Sequence, residues 1–450
     1  MLSLCSDNSD FVPVNESKIL ECFLEMLLEK NSKSSVKTSE YDFTIKEDFL
    51  CYIIQHMFIK NDYSVTQKEF EELLFSYHKE KGFIVKDSKF DSYFFDKNIL
   101  YRHADIIFFR YSCFAHFYLA KLAIKNENIL NRMISENNFL FYFNEINYLT
   151  GLERNNEKIY EKLSVEYENL FDKFKPMLEE LGELGIKTNF SLEQDKLNEF
   201  CSNRVSTEES DLLADACFHE NVSDSREINN NCDEILKIDD KNKFYDILRS
   251  YSIILKNSEL YSKERKEKML HNVINGYCVI LALLTNPIIE ELRKDSKMQD
   301  KNLKEQSEIF EDVLKISLPL IIENIAFDYV GSAKLKTFIL EMIQKVKISD
   351  SFQECMLVFL YCDLRVEKCL KVLSDFVKKT TNSYLLTVTF FKTFYYYMMH
   401  YFNSQQDQIL LELIAEINRK IKNEKSYSKG LIMEKIKKVR QQNDLTSKII

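Results

Sequence analysis

Between Asn98 and Lys125 the chain reads NILYRHADIIFFRYSCFAHFYLAKLAIK, and this stretch restricts the fold more than any other. Ile99 to Arg102 and Ile106 to Tyr111 are two short β-prone runs about a His103-Ala104-Asp105 turn, which predicts a hairpin. The residues after it follow a helical pattern that is apolar on almost every side, and such a helix must be buried all round. A hairpin and a central helix therefore meet here, in a chain whose other segments read as helices with one polar face.

The lead-in supports a small domain built on that stretch. Thr44 to Lys60 carries a broad apolar face in Phe49, Leu50, Tyr52, Ile53, Met57 and Ile59, and a second helical run begins near Thr66 and stops at Gly82. Thr44 with Glu47, and Thr66 with Glu69, have the S/T-x-x-E spacing of a capping box. A short aromatic segment, Asp87 to Phe95, precedes the hairpin. Helix, helix, short helix and two-stranded wing is the order of a winged-helix unit, assigned to residues 43–125, after an N-terminal helical segment over 1–42 in which Ser17 to Lys30 carries the stripe.

Residues 126–190 predict a helical extension, with two short pieces between Asn126 and Thr150 and a longer helix from Arg154 to Lys175. The inner side of that longer helix is marked by Ile159, Leu163, Val165, Tyr167, Leu170 and Phe174, and Pro176 ends or restarts it. Residues 191–232 are rich in Ser, Asn and acids, as in an acidic flexible connector, and the main boundary is placed there. Residues 233–450 read as helix after helix, with Pro287 and Pro319 expected at helix starts. Only 7 glycines and 4 prolines in 450 residues favour long helices over turn-rich sheets. The expected fold class is mainly α: a helical domain with an embedded winged-helix unit, followed by a C-terminal irregular helical array.

A net charge of −10 argues against a broad nucleic-acid-binding surface, because phosphate contacts need clustered Lys and Arg. The proposed recognition segment DSKFDSYFFDK sets Asp87, Asp91 and Asp96 against Lys89 and Lys97, which suits phosphates poorly. The 11 cysteines are dispersed and odd in number, and the N-terminus lacks a cationic start or long apolar run, so reduced thiols in the cytoplasm are the expectation. Ser383 to Phe402 has spanning length, but Lys392 near its centre makes insertion costly and predicts a buried helix, not a membrane span.

Candidate chemistry is sparse. Cys113 and His116 are three residues apart on one helix, amid aromatic residues that point to core packing. Cys217, His219 and Glu220 form a C-x-H-E cluster with no second Cys/His pair, short of the four ligands a zinc site uses. Cys362 and Cys369 read as buried thiols. No catalytic, cofactor or metal residues are assigned, and no enzyme activity is expected. Arg102, His103 and Asp105 at the wing tip are open to two accounts, local turn chemistry or contact with another domain or nucleotide. Tyr395, Tyr396 and Tyr397 beside Met398 and Met399 form either a partner-binding groove or a core stripe.

The stretch Ile107 to Ala120, IFFRYSCFAHFYLA, resembles the end of the winged-helix domain in STAND nucleotide-switch ATPases of the NACHT type. There a strand with F-x-H runs into a helix of the form s-F-x-E-Y-f-x-A, and Phe109, Phe114, Phe117 and Ala120 match its framework. Two positions depart: Tyr111 stands where the family has His, and His116 where it has Glu. The motor's G-x-x-x-x-G-K-[ST] loop occurs nowhere in the chain, and no glycine precedes Gly82. The resemblance implies the part of such a protein beyond its ATPase core, a non-catalytic sensor of antiphage defence binding a protein ligand or partner chain through its helical array. It also groups Tyr111 with Arg102, His103 and Asp105 as interdomain or nucleotide-proximal candidates. A helical scaffold without nucleotide switching, or a winged-helix regulator, is the alternative.

Overall fold

The computed structural model describes residues 15–29, 41–83, 88–135, 138–181, 239–295, 301–345, 351–422 and 429–446. The expected connector at 191–232 lies outside them. The chain is mainly helical with one small sheet. Its contacts form two units, one reaching to Leu163 and including Asn257–Leu260, the other including Ile247–Lys256 and the chain from Tyr261 onward. The division falls inside a helix, Glu157–Phe174.

In the first unit, α1 is Glu16–Leu27, α2 Phe43–Lys60, β1 Ser64–Thr66, α3 Gln67–Lys81, α4 Ser88–Asp96, β2 Leu100–His103, β3 Ile106–Phe109 and α5 Ser112–Lys125. Strand order is β1-β3-β2, antiparallel throughout, with Val65 opposite Ile107 and Tyr101 opposite Phe108. Helix, strand, helix, helix and hairpin, with the first strand against the third, is winged-helix connectivity. β1 has no counterpart in the sequence reading: three residues show no periodicity, and only pairing with β3 makes them a strand. The predicted box at Thr66 is present, since Thr66 Oγ1 accepts from Glu69 N and Glu69 Oε2 accepts from Thr66 N. The box at Thr44 is not, because Asp42 caps α2 by accepting from Ile45 N and Glu47 is drawn to Lys121 instead.

The core of this unit closes around α5. Phe114 and Phe117 are each 1% exposed and Phe109 5%, while Ala120 is wholly buried. Burying one such phenylalanine removes enough apolar surface from water to contribute about 1.5–3 kcal/mol. α5 packs on α2 and on α7, Phe143–Leu152, with α6, Glu127–Ile134, between α5 and α7 in sequence.

The helix Glu157–Phe174 is α8, and Met177–Leu181, restarting after Pro176, is α9. Val165, expected on the inner side of α8, is 56% exposed, and Ser164 is the buried neighbour instead. Then come α10 Asp240–Lys256, α11 Lys263–Asp295, α12 Lys301–Val330, α13 Lys336–Lys345, α14 Phe352–Asp363, α15 Cys369–Lys379, α16 Ser383–Met398, α17 Ser404–Lys422 and α18 Lys429–Thr446. Two expected helix starts are absent: Pro287 lies inside α11 and Pro319 inside α12. A mid-helix proline removes one N–H and leaves the carbonyl four residues earlier without its usual partner. For Pro319 that carbonyl belongs to Lys315, and Tyr384 Oη donates to it at 2.8 Å from α16. α16 itself is the expected buried helix, with Lys392 inside. Among the described residues, one stretch, Lys263–Ile289, is long and apolar enough to cross a membrane, and 67% of its most apolar window is buried, as a core helix would be.

Candidate functional site

The wing forms a cleft of about 440 Å³ between α4 and the outer side of β2. Its floor is apolar, with Phe95 from α4 and Leu100 and Tyr101 from β2, and its polar lining includes Asp91, Asn98, Arg102 and Arg110. Arg102 lies over the Phe95 ring, its guanidinium carbon 4.8 Å from the centroid, and Arg110 lies over Tyr101 at 4.7 Å. A guanidinium over an aromatic face is held by cation–π attraction and keeps N–H donors for an anion. Among the described residues neither arginine has an ion pair or side-chain hydrogen bond, whereas the Asp91 carboxylate accepts from Ser92 N at 2.9 Å.

Of the residues expected to act together, Arg102 lines this cleft and His103 and Asp105 stand exposed at the tip. Asp105 serves the fold through its carbonyl, which accepts from Gln67 N at 2.7 Å and ties the turn to the start of α3. Tyr111 is not brought to them. It lies beyond the opposite end of β3, 45% exposed, its ring edge-on to Phe114 at 5.2 Å. Arg110 and Tyr101 were missed by the sequence reading, because only the strand register sets one over the other.

A second constellation lies beneath α5, around His116. His116 Nδ1 is 2.6 Å from Glu145 Oε1, and Tyr63 Oη donates to the same oxygen at 2.9 Å. Glu145 is buried, and its Oε2 has no hydrogen-bond partner among the described residues. Burial alone would lower the His116 pKa, but the adjacent Glu145 carboxylate outweighs it and holds the imidazole above its ordinary value. Cys113 takes no part in this pair, and burial pushes its thiol upward, away from the reactive thiolate.

In the array, Lys392 Nζ donates to Asp363 Oδ2 at 2.8 Å, to Asn324 Oδ1 at 3.1 Å and to Glu323 Oε2, joining α16 to α14 and α12. Burial drives the Glu323 carboxyl well above its ordinary range; Lys392 opposes this and the Asp363 charge reinforces it. A protonated Glu323 can donate to Asp363, which leaves one positive and one negative charge in the cluster. Tyr396 packs beneath this cluster, wholly buried, and Tyr397 is 4% exposed with Arg440 over its ring, so of the three expected groove tyrosines only Tyr395, at 41%, faces outward. Cys362 and Cys369 are buried free thiols. Cys217, His219 and Glu220 lie outside the described residues, and among the described ones no three His, Cys, Asp or Glu side chains are placed to hold a metal ion.

Comparison of the chain with protein-family models, curated proteins and solved structures gave no match.

Proposed function

We propose that this chain is a non-catalytic regulatory and sensing protein, the part of a prokaryotic STAND-type antiphage ATPase that lies beyond the motor, acting in the cytoplasm. The observation that carries this reading is the burial of Phe109, Phe114, Phe117 and Ala120 in a unit of winged-helix connectivity, the positions and order supplied by the resemblance. In this scheme the winged-helix unit holds a closed state and a protein ligand binds the C-terminal array. The ligand acts only through its greater affinity for the open state, so the mechanism is a population shift with no bond chemistry in this chain. The reading frame upstream should encode a G-x-x-x-x-G-K-[ST] loop, on this chain or an adjacent one. The product carrying that loop should hydrolyse ATP at a rate that changes when this chain is present. A source genome with no such loop in either place overturns the reading.

A further inference from the structure

The cleft at the wing points to a docking site that does not depend on the STAND reading. β2 is an outermost strand, and Arg110 N donates to Ile99 O at 2.8 Å. Hydrogen-bonded positions alternate along an antiparallel pair, so Tyr101 and His103 turn their backbone groups toward β3, as does the Ile99 carbonyl, while Ile99 N donates to Phe94 O at 2.9 Å. Leu100 and Arg102 therefore aim their N–H and C=O groups away from β3, and among the described residues nothing bonds to them; Leu100 is 2% exposed, so the open part of this edge is centred on Arg102. An unpaired strand edge of this kind accepts an added strand.

The side chains around the edge select what that strand would carry. Consecutive strand residues face opposite ways, so Arg102 on Phe95 guards one face of the edge and Arg110 on Tyr101 guards the other. We propose that β2 binds an extended acidic peptide segment of a partner protein as a fourth strand, with carboxylates at an odd spacing, one for each arginine. Guanidinium groups that lie over aromatic rings with no ion pair among the described residues suit bidentate carboxylate contacts. A nucleic-acid backbone, with a charge at every nucleotide, fits less well than a strand with two carboxylates placed at the arginines, since its further phosphates would meet Asp91 in the cleft and Asp96 and Asp105 exposed on α4 and at the wing tip. A second copy of this chain fits poorly too, because two-fold pairing of β2 edges would oppose arginine to arginine.

Fluorescence anisotropy with the full chain tests this. The probe is a labelled eight-residue peptide of alternating Thr and Val with an adjacent Glu-Glu pair at its centre; the comparison peptide has Gln-Gln there. Saturable binding of the Glu-Glu peptide is expected, with affinity falling about tenfold or more for Gln-Gln and for each of Arg102→Gln and Arg110→Gln. Both arginines are exposed, and circular dichroism verifies that the variants fold. Methylating alternate peptide amides should abolish binding in one parity and spare it in the other, as strand pairing requires. No binding of the Glu-Glu peptide, equal loss in both methylation parities, or tighter arginine-dependent binding of a single-stranded oligonucleotide would each overturn the proposal.

Discussion

The winged-helix unit and the helical array treat buried polar groups differently. Both close helix starts with neighbours in sequence, each accepting from a backbone N–H within three residues: Asn15, Asp42, Thr66 and Asn126 in the first, Ser351 and Asn382 in the second. In the array the largest burdens are carried by long side chains from distant segments. Tyr384 serves the carbonyl opened by Pro319, Lys392 reaches three residues on two other helices, and Lys420 donates to the carbonyls of Val377, Lys378 and Thr380 at the end of α15. Local capping makes a small unit robust to loss of any one contact. Non-local bridging makes each bridge a joint between helices, so its loss exposes a deficit that nothing nearby can repair. The units also differ in what their central ion pair needs: a lysine is charged at any ordinary pH, whereas His116 must gain a proton.

The strongest attack on this contrast is Lys392→Met. It strands the Asp363 carboxylate and Glu323 without their cation, and breaking a buried pair from one side costs about 3–5 kcal/mol. Chemical denaturation of the array should register that loss. Glu323→Gln should be tolerated wherever pH lies below the raised folded-state value, because the native carboxyl holds its proton there. With the folded-state pKa of Glu323 raised, its contribution is complete below the ordinary carboxylate value and is lost as pH rises through the raised value, so Glu323→Gln should flatten the array's alkaline decline. A Lys392→Met protein as stable as wild type would mean the cluster bridges nothing.

Next in size is His116. Its pKa is raised in the folded state, so the stabilisation is complete below the unfolded value of 6.5 and disappears as pH rises through the folded one. His116→Gln should cost about 1.5–3 kcal/mol in acid, the worth of a hydrogen bond to a charged group, and much less once pH has risen through the folded-state value. Unfolding of the first unit followed across that range decides it. Equal loss at both ends would make the pair a packing contact and erase the proposed contrast between the two ion pairs.

Tyr384→Phe removes only one hydroxyl, yet it leaves the Lys315 carbonyl buried beside Pro319 with no donor from α16, at a cost of about 1–3 kcal/mol. This contact also marks where sequence reading stops. Local rules were legible: the Thr66 box, the Gly82 stop, the all-round apolar α5 and the short hairpin follow from residues within a few positions of each other. The local rule makes Pro319 a helix start, and the structure departs from it because Tyr384, far along the chain, makes the interrupted helix tolerable. β1 and the Arg110-over-Tyr101 stack escape local rules in the same way, being products of strand register. The candidate site was thus half visible, Arg102 by its place on a turn, its partner arginine only once the strands were paired.

The smallest effect concerns a purely local device, the wing turn. Ala104 sits at φ 51°, a left-handed conformation, at the first position of the two-residue loop joining β2 to β3. Positive φ there is the signature of a II′-type hairpin turn, a position that glycine favours. A Cβ in the left-handed region costs roughly 1–2 kcal/mol, while glycine forfeits about 0.5–1 kcal/mol through the freedom of its unfolded chain. Ala104 is exposed and gives up no packing, so Ala104→Gly should stabilise the first unit by the difference, up to about 1.5 kcal/mol. Ala104→Val, β-branched at the same φ, should move the midpoint the other way. If local geometry governs this unit as its caps indicate, both shifts will appear in its thermal unfolding with the array's transition unchanged. A glycine variant that melts earlier would show that the turn is set by its distant tie, Gln67 N to Asp105 O, and would bring the winged-helix unit closer to the array in the way it holds its chain.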